Sequence, residues 1–101
     1  MIYLHNILRY IEDIPECTHM DISVFSGDVA HGNCNCTMLI GVPKYDAIDA
    51  FEMNIPIFSV HIRLRNGRDR SLTYLYADQK NVFFDGRNIT KEIERIFDRN
   101  D

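Results

Sequence analysis

The stretch PIFSVHIRLRNGRDRSLTYLYA, Pro56 to Ala77, holds two alternating runs on either side of a turn, and its pairing decides the fold. In the first run Phe58, Val60, Ile62 and Leu64 point one way and Ser59, His61, Arg63 and Arg65 the other, because successive strand side chains face opposite sides. In the second, Leu72, Tyr74 and Tyr76 oppose Ser71 and Thr73. Asn66-Gly67 between them suggests a two-residue hairpin turn. That register, however, would pair Arg65 with Arg68, Arg63 with Arg70 and Leu64 with Asp69. Like charges would then face each other and the core face would turn polar. A loop of three or five residues within Asn66 to Arg70 repairs both faults. It sets Ile62 against Tyr74, Leu64 against Leu72 and Arg63 against Thr73, which places the tyrosines on the core face.

Outward from this hairpin the remaining elements follow. NVFF, Asn81 to Phe84, reads as a third strand of the same meander, and DGRN, Asp85 to Asn88, as a turn. ITKEIERIF closes the chain as a helix with the stripe Ile89, Ile93, Ile96 and Phe97. Thr90 suits its N-cap, and Glu92 lies in the first turn, where the helix dipole favours an acid. Upstream, Leu4, Ile7, Leu8, Ile11 and Ile14 recur at helical spacing, flanked by Tyr3 and Tyr10, so residues 2–13 form a helix. Pro15 stops it, since the residue before proline leaves the α region. Met20, Ile22 and Val24 alternate with polar residues in a strand, and CNCTMLIGV, Cys34 to Val42, returns as its hairpin partner. Tyr45, Ile48 and Phe51 mark a short helix after Pro43.

The order α, β-β, short α, β-β-β, α predicts an α+β fold over residues 1–101. Runs of consecutive strands imply an antiparallel sheet, here of about five strands, a hairpin plus a three-strand meander. The N-terminal and C-terminal helices pack on one face. MLIGV, Met38 to Val42, is apolar on both sides. It is therefore expected either in the centre of the sheet or covered by a helix or a second subunit, which makes a homodimer part of the reading.

One domain is what 101 residues accommodate. With 46% hydrophobic and 26% charged residues, the composition is that of a globular protein able to bury a core. The N-terminus lacks the basic start and continuous apolar run of a signal peptide, and no run approaches the roughly 18 residues of a membrane span. A cytoplasmic, reducing location is expected, with the three cysteines as thiols. The net charge of −4 is unevenly spread. Residues 1–55 carry −6 and residues 56–101 carry +2, and the sign changes at Asn54 to Pro56.

Two groupings could carry chemistry. Cys17 and His19, with His31, Cys34 and Cys36, offer the thiolate and imidazole ligands that zinc prefers. Their spacing is not that of a zinc knuckle. Counting by twos from Cys34 instead aligns Cys34, Cys36, Met38, Ile40 and Val42 on one strand face, so the cysteines are expected in the core and no cofactor is required. A reactive Cys-His pair is disfavoured by the acidic first half, which raises a thiol's pKa. The second grouping is His61, Arg63, Arg65, Arg68 and Arg70, a basic hairpin on an acidic chain. Arginine's planar fork suits carboxylate or phosphate.

No catalytic set emerges. Asp46 with Asp49 and Glu12 with Asp13 are ordinary pairs on acidic helices, and the five glycines form no phosphate-cradling loop. The expectation is a small non-enzymatic binding protein that occupies a surface, with an acidic patch, on a larger protein partner. In size, lack of motif and tight hairpins it is similar to inhibitors, immunity proteins and phage or mobile-element accessory proteins, although no motif transfers residue by residue. Nucleic-acid binding through residues 61–70 is the alternative, weakened by the tyrosines' predicted place in the core. A metal-stabilised module using the cysteine and histidine set is the other.

Overall fold

The computed structural model describes residues 2–28, 33–51 and 57–98, with side chains at all of these except 28, 33, 34, 97 and 98. The elements are α1 (Leu4–Glu12), β1 (His19–Asp28), β2 (Asn33–Pro43), α2 (Lys44–Ala50), β3 (Ser59–Asn66), β4 (Arg70–Asp78), β5 (Val82–Phe84), β6 (Arg87–Asn88) and α3 (Thr90–Asp98). The fold is α+β, as the element order implies. The strands form one antiparallel sheet in the order β2-β1-β3-β4-β5-β6. The sixth strand replaces the latter half of the expected DGRN turn. Asp85 and Gly86 both take positive φ, 51° and 78°, which suits a tight Asp-Gly hairpin turn and returns Arg87 and Asn88 to the sheet.

Alternation decides the covered face. Met20, Ile22 and Val24 of β1, Val60, Ile62 and Leu64 of β3, Leu75 and Ala77 of β4, and Val82 of β5 are all buried. They pack with Leu4, Ile7, Leu8 and Ile11 of α1 and Ile89, Ile93 and Ile96 around α3. The predicted stripes of both helices therefore hold; Phe97 lies outside the described side chains. At the start of α3 the N-cap expectation is corrected. The Thr90 backbone N–H donates to Asn88 Oδ1 (3.0 Å), and the Thr90 hydroxyl instead accepts from the Val82 N–H (2.9 Å), tying the helix to β5. In α2, Ala47 and Lys44 are buried and Tyr45 is exposed, so Tyr45 is not part of the packed stripe. Lys44 reaches back to α1, and its Nζ donates to the carbonyls of Glu12 (3.2 Å) and Ile14 (3.0 Å). A buried cation thus satisfies backbone acceptors left over at the C-terminal end of α1.

Two bulges overturn the face assignments made by counting in twos. In β2, Met20 pairs with Val42 but Ile22 pairs with Leu39, so β2 carries one extra residue across this step. Gly41 takes φ 63° there, a conformation natural to glycine in a bulge. Its N–H donates to Asp21 Oδ1 at 2.7 Å. Val42 and Leu39 consequently turn towards the core, whereas Cys36, Met38 and Ile40 are exposed. The expected core stripe from Cys34 to Val42 does not form, and Cys36 is a solvent-exposed thiol. The central position for MLIGV is also ruled out, because β2 lies at the edge of the sheet.

The second bulge lies in β4. The hairpin loop is Gly67 to Asp69, three residues, and Arg65 pairs with Ser71 as the odd-loop register requires. Leu72 is then extra, so that Leu64 pairs with Thr73, Arg63 with Tyr74, Ile62 with Leu75 and His61 with Tyr76. Leu72 and Tyr74 are exposed, Tyr76 is half-buried, and Leu75 and Ala77 occupy the core in their place. Among the described residues, no helix is long and apolar enough to cross a membrane.

Candidate binding face of the sheet

The three described helices pack on the aliphatic side, which leaves the other side of the sheet as the candidate binding face. Cross-strand partners share a face, and the register brings Ser23, His61, Tyr76 and Phe83 into one row across four strands. Asp21, Arg63 and Tyr74 form the next row. His61 sits among aromatic rings, with its centroid 4.9 Å from Tyr76, 6.0 Å from Tyr74 and 6.5 Å from Phe25. His61 Nδ1 and the Tyr74 hydroxyl share a hydrogen bond, which orients both side chains.

The five predicted partner-binding residues do not behave alike. Arg63 is exposed; its guanidinium lies 5.9 Å from the Tyr74 ring centre and donates to Ser71 Oγ (3.2 Å). Such a stacked guanidinium keeps its charge and most of its donors available. Arg65 is instead consumed internally. Its Nη2 and Nε donate to Asp21 Oδ2 at 2.6 and 3.0 Å, and these bonds hold the Asp21 carboxyl below the usual carboxylate range. The same contact raises the Arg65 pKa further. Arg68 and Arg70 are exposed on the hairpin, with no salt bridge to any described residue.

The tip that carries them is pinned at its base. Thr18 N–H donates to the Arg65 carbonyl (2.9 Å), Gly67 N–H to Thr18 Oγ1 (2.6 Å), and Asn66 Nδ2 to the Glu16 carbonyl (2.9 Å). The segment after α1 thereby fixes where the arginines project.

The cysteine and histidine set does not converge. Cys17 is buried in the core beside His19, its Sγ 3.4 Å from the His19 carbonyl oxygen, and burial pushes its thiol pKa up. Cys36 pairs with Phe25, six residues along β1 from His19, or roughly 20 Å at strand spacing. His31 and the Cys34 side chain lie outside the described residues. Among the described residues no group of three or more His, Cys, Asp or Glu is placed to hold a metal.

Reading from residues missed the aromatic half of this face, namely Tyr74, Tyr76, Phe25 and Phe83. A signal was available for the tyrosines. Both alternating sets of β4 are apolar enough to bury, but Leu75 and Ala77 carry no hydroxyl, whereas a buried Tyr must find a hydrogen-bond partner. No family model, curated protein or solved structure matches this chain, so its function is argued from the open face of the sheet itself.

Proposed function

We propose that this chain is a non-enzymatic binding protein that docks the open face of its sheet onto an acidic patch of a larger protein. The observation that carries this reading is the pair Arg63 and Tyr74, with His61 and Tyr76 in the adjacent row, on a face that no described helix covers. Tyr, Met and Arg are the types enriched in protein interfaces and their hot spots. They present broad rigid area with few rotatable bonds, next to a guanidinium that forms no salt bridge with any described residue. Exposed Met38, at the β2 side of the same face, extends the apolar part. Binding of this kind acts by occupying a surface, as an inhibitor or immunity protein does. A reducing cytoplasm suits the exposed Cys36 thiol.

Single-stranded nucleic acid is the second reading, and one observation favours it. Tyr74 and Tyr76 share the face of Arg63, the combination of stacking rings and cations used to hold bases and phosphates. Against it stand the net charge of −4 and the commitment of Arg65 to Asp21, which reduce the phosphate contacts available.

The test uses Arg63→Glu with Arg70→Glu; Arg65 is spared, because reversing it would break the Asp21 pair. Affinity capture from the native host is run with the wild-type and variant chains, beside a gel shift of a labelled single-stranded oligonucleotide at low salt. Loss of a captured protein by the variant, with melting unchanged and no shift of the oligonucleotide, is expected. Undiminished capture by the variant overturns the protein reading. A shift of the oligonucleotide that the variant and added salt both abolish establishes the second reading in its place.

A further inference from the structure

Asp21 of β1 and Arg63 of β3 stand directly opposite one another in the ladder. Opposite charges so placed attract, and nearness alone favours an ion pair between them. The structure forms a different one. Asp21 bonds to Arg65, its diagonal neighbour, which pairs with His19. Both Nε and Nη2 of Arg65 donate to Asp21 Oδ2, at 3.0 and 2.6 Å. The other oxygen, Oδ1, accepts from the Gly41 N–H at 2.7 Å. The carboxylate is thus held from two sides, by the planar fork of an arginine on β3 and by the bulge amide of β2. Arg65 is committed as fully, since its Nη1 donates to the Arg68 carbonyl at 3.4 Å. Arg63 leans the other way, towards β4, with one bond to Ser71 Oγ and its guanidinium beside the Tyr74 ring. No described carboxylate lies within salt-bridge reach of it.

We propose that Arg65 and the Gly41 bulge act as a latch on Asp21, holding its carboxylate off Arg63 and so keeping that guanidinium free. Arg65 is then a positioning residue, which acts through Asp21 without touching a partner. The need for a latch follows from the ladder. An unheld Asp21 would reach Arg63 as a tethered ligand, at an effective concentration of about millimolar or above. It would occupy the N–H groups that a carboxylate from outside has to find. The group that Arg63 is kept for is the side-chain carboxylate of an Asp or Glu on the partner, the same chemistry that Arg65 already holds within the chain. This use of Arg63 rests on the docking of the open face onto an acidic patch; the latch itself does not.

The experiment reads the chain first alone and then with a probe. Side-chain NMR of isotope-labelled protein follows the contact between the Arg63 guanidinium and the Tyr74 ring, without any ligand. Arg65→Gln should lose that contact as Arg63 turns to Asp21, and adding Asp21→Asn should bring it back. The side chains of Arg65 and Asp21 are 22% and 23% exposed, so neither change opens a core cavity. The probe is a hexaglutamate peptide at low salt. If Asp21 occupies Arg63 about nine-tenths of the time in Arg65→Gln, apparent affinity for the peptide falls about tenfold, and the added Asp21→Asn should restore it. A folded Arg65→Gln chain that keeps the Tyr74 contact overturns the proposal, as does a contact that Asp21→Asn does not bring back. Should Arg65→Gln alone fail to fold, Asp21→Asn with and without Arg65→Gln decides the matter. The two should bind the peptide alike, and weaker binding by the double variant would show that Arg65 acts other than through Asp21. A wild type that ignores the peptide while Arg63 switches as described supports the latch and counts against the acidic-partner reading.

Discussion

The two faces of β3 and β4 differ more than their shared backbone suggests. Val60, Ile62, Leu64, Leu75 and Ala77 point to the helices and are fully buried. One residue along in each case, His61, Arg63, Tyr74 and Tyr76 point away and keep part of their surface in water. The covered face is aliphatic and dense, and the open one aromatic and cationic. Packing accounts for the first set completely, because each side chain there leaves water on folding. It accounts for little of the second, whose rings and guanidinium remain partly solvated after folding is complete. Side chains that folding does not require are where a binding surface is to be sought.

The contrast can be broken most severely at Ile62. Ile62→Ala leaves a cavity among fully buried neighbours and is expected to cost about 2–5 kcal/mol, or at least about 8 °C in melting temperature for a domain of roughly this size. Arg63→Ala, next to it on the other face, should stay within about 0.5 kcal/mol of the wild type. Equal losses in thermal or denaturant unfolding would mean that the open face is structural after all.

A smaller effect of opposite sign is expected at Thr73. The β4 bulge turns this residue towards Leu64, and its buried hydroxyl finds no hydrogen-bond partner among the described residues. Thr73→Val keeps the shape and removes the unmet group, and should stabilise by about 1 kcal/mol, seen as a higher melting temperature. Destabilisation would show that the hydroxyl is satisfied in solution.

The smallest effect sharpens the open face. The folded state lowers the Asp21 carboxyl pKa, chiefly through its hydrogen bonds from Arg65. Its stabilisation is therefore fully present above the unfolded carboxyl value of about 3.9, and is lost as pH falls through the lower folded value. Asp21→Asn should melt a few degrees below the wild type at neutral pH, with the gap closing in acid. A gap that does not change between pH 7 and 2 would show that the loss does not come from the charge of the carboxylate.

How much was legible in the residues depended on whether a strand ran straight. α1 and α3 were readable because Leu4, Ile7, Leu8 and Ile11 recur on one side of the first and Ile89, Ile93 and Ile96 on one side at and after the start of the second, and β1 and β3 because their buried sets alternate without interruption. An odd loop of three or five residues was readable from charge and polarity together, since a tighter turn would set arginine against arginine and Leu64 against Asp69; the structure takes three. Beyond each bulge the same counting assigned the wrong face. One extra residue at Gly41 moved Cys36, Met38 and Ile40 outward, and one at Leu72 exchanged Tyr74 and Tyr76 for Leu75 and Ala77. An isolated glycine inside the apolar run LIGV was the local sign of the first. For the second, the hydroxyls of the tyrosines were the better guide.

The candidate site shows the same division. Its cations were legible, but their fates were not, because Asp21 lies 44 positions before Arg65 and meets it only through the β1–β3 ladder. By itself, then, the sequence determined the α+β class, the helices, the hairpin loop and the buried sides of β1 and β3. These depend on periodicity and on charges close along the chain. The tertiary structure alone decided which strand lies at the edge, which face the tyrosines take and which arginine is neutralised. A one-residue bulge inverts every side chain beyond it at little local cost, and only packing across the whole sheet selects where it falls.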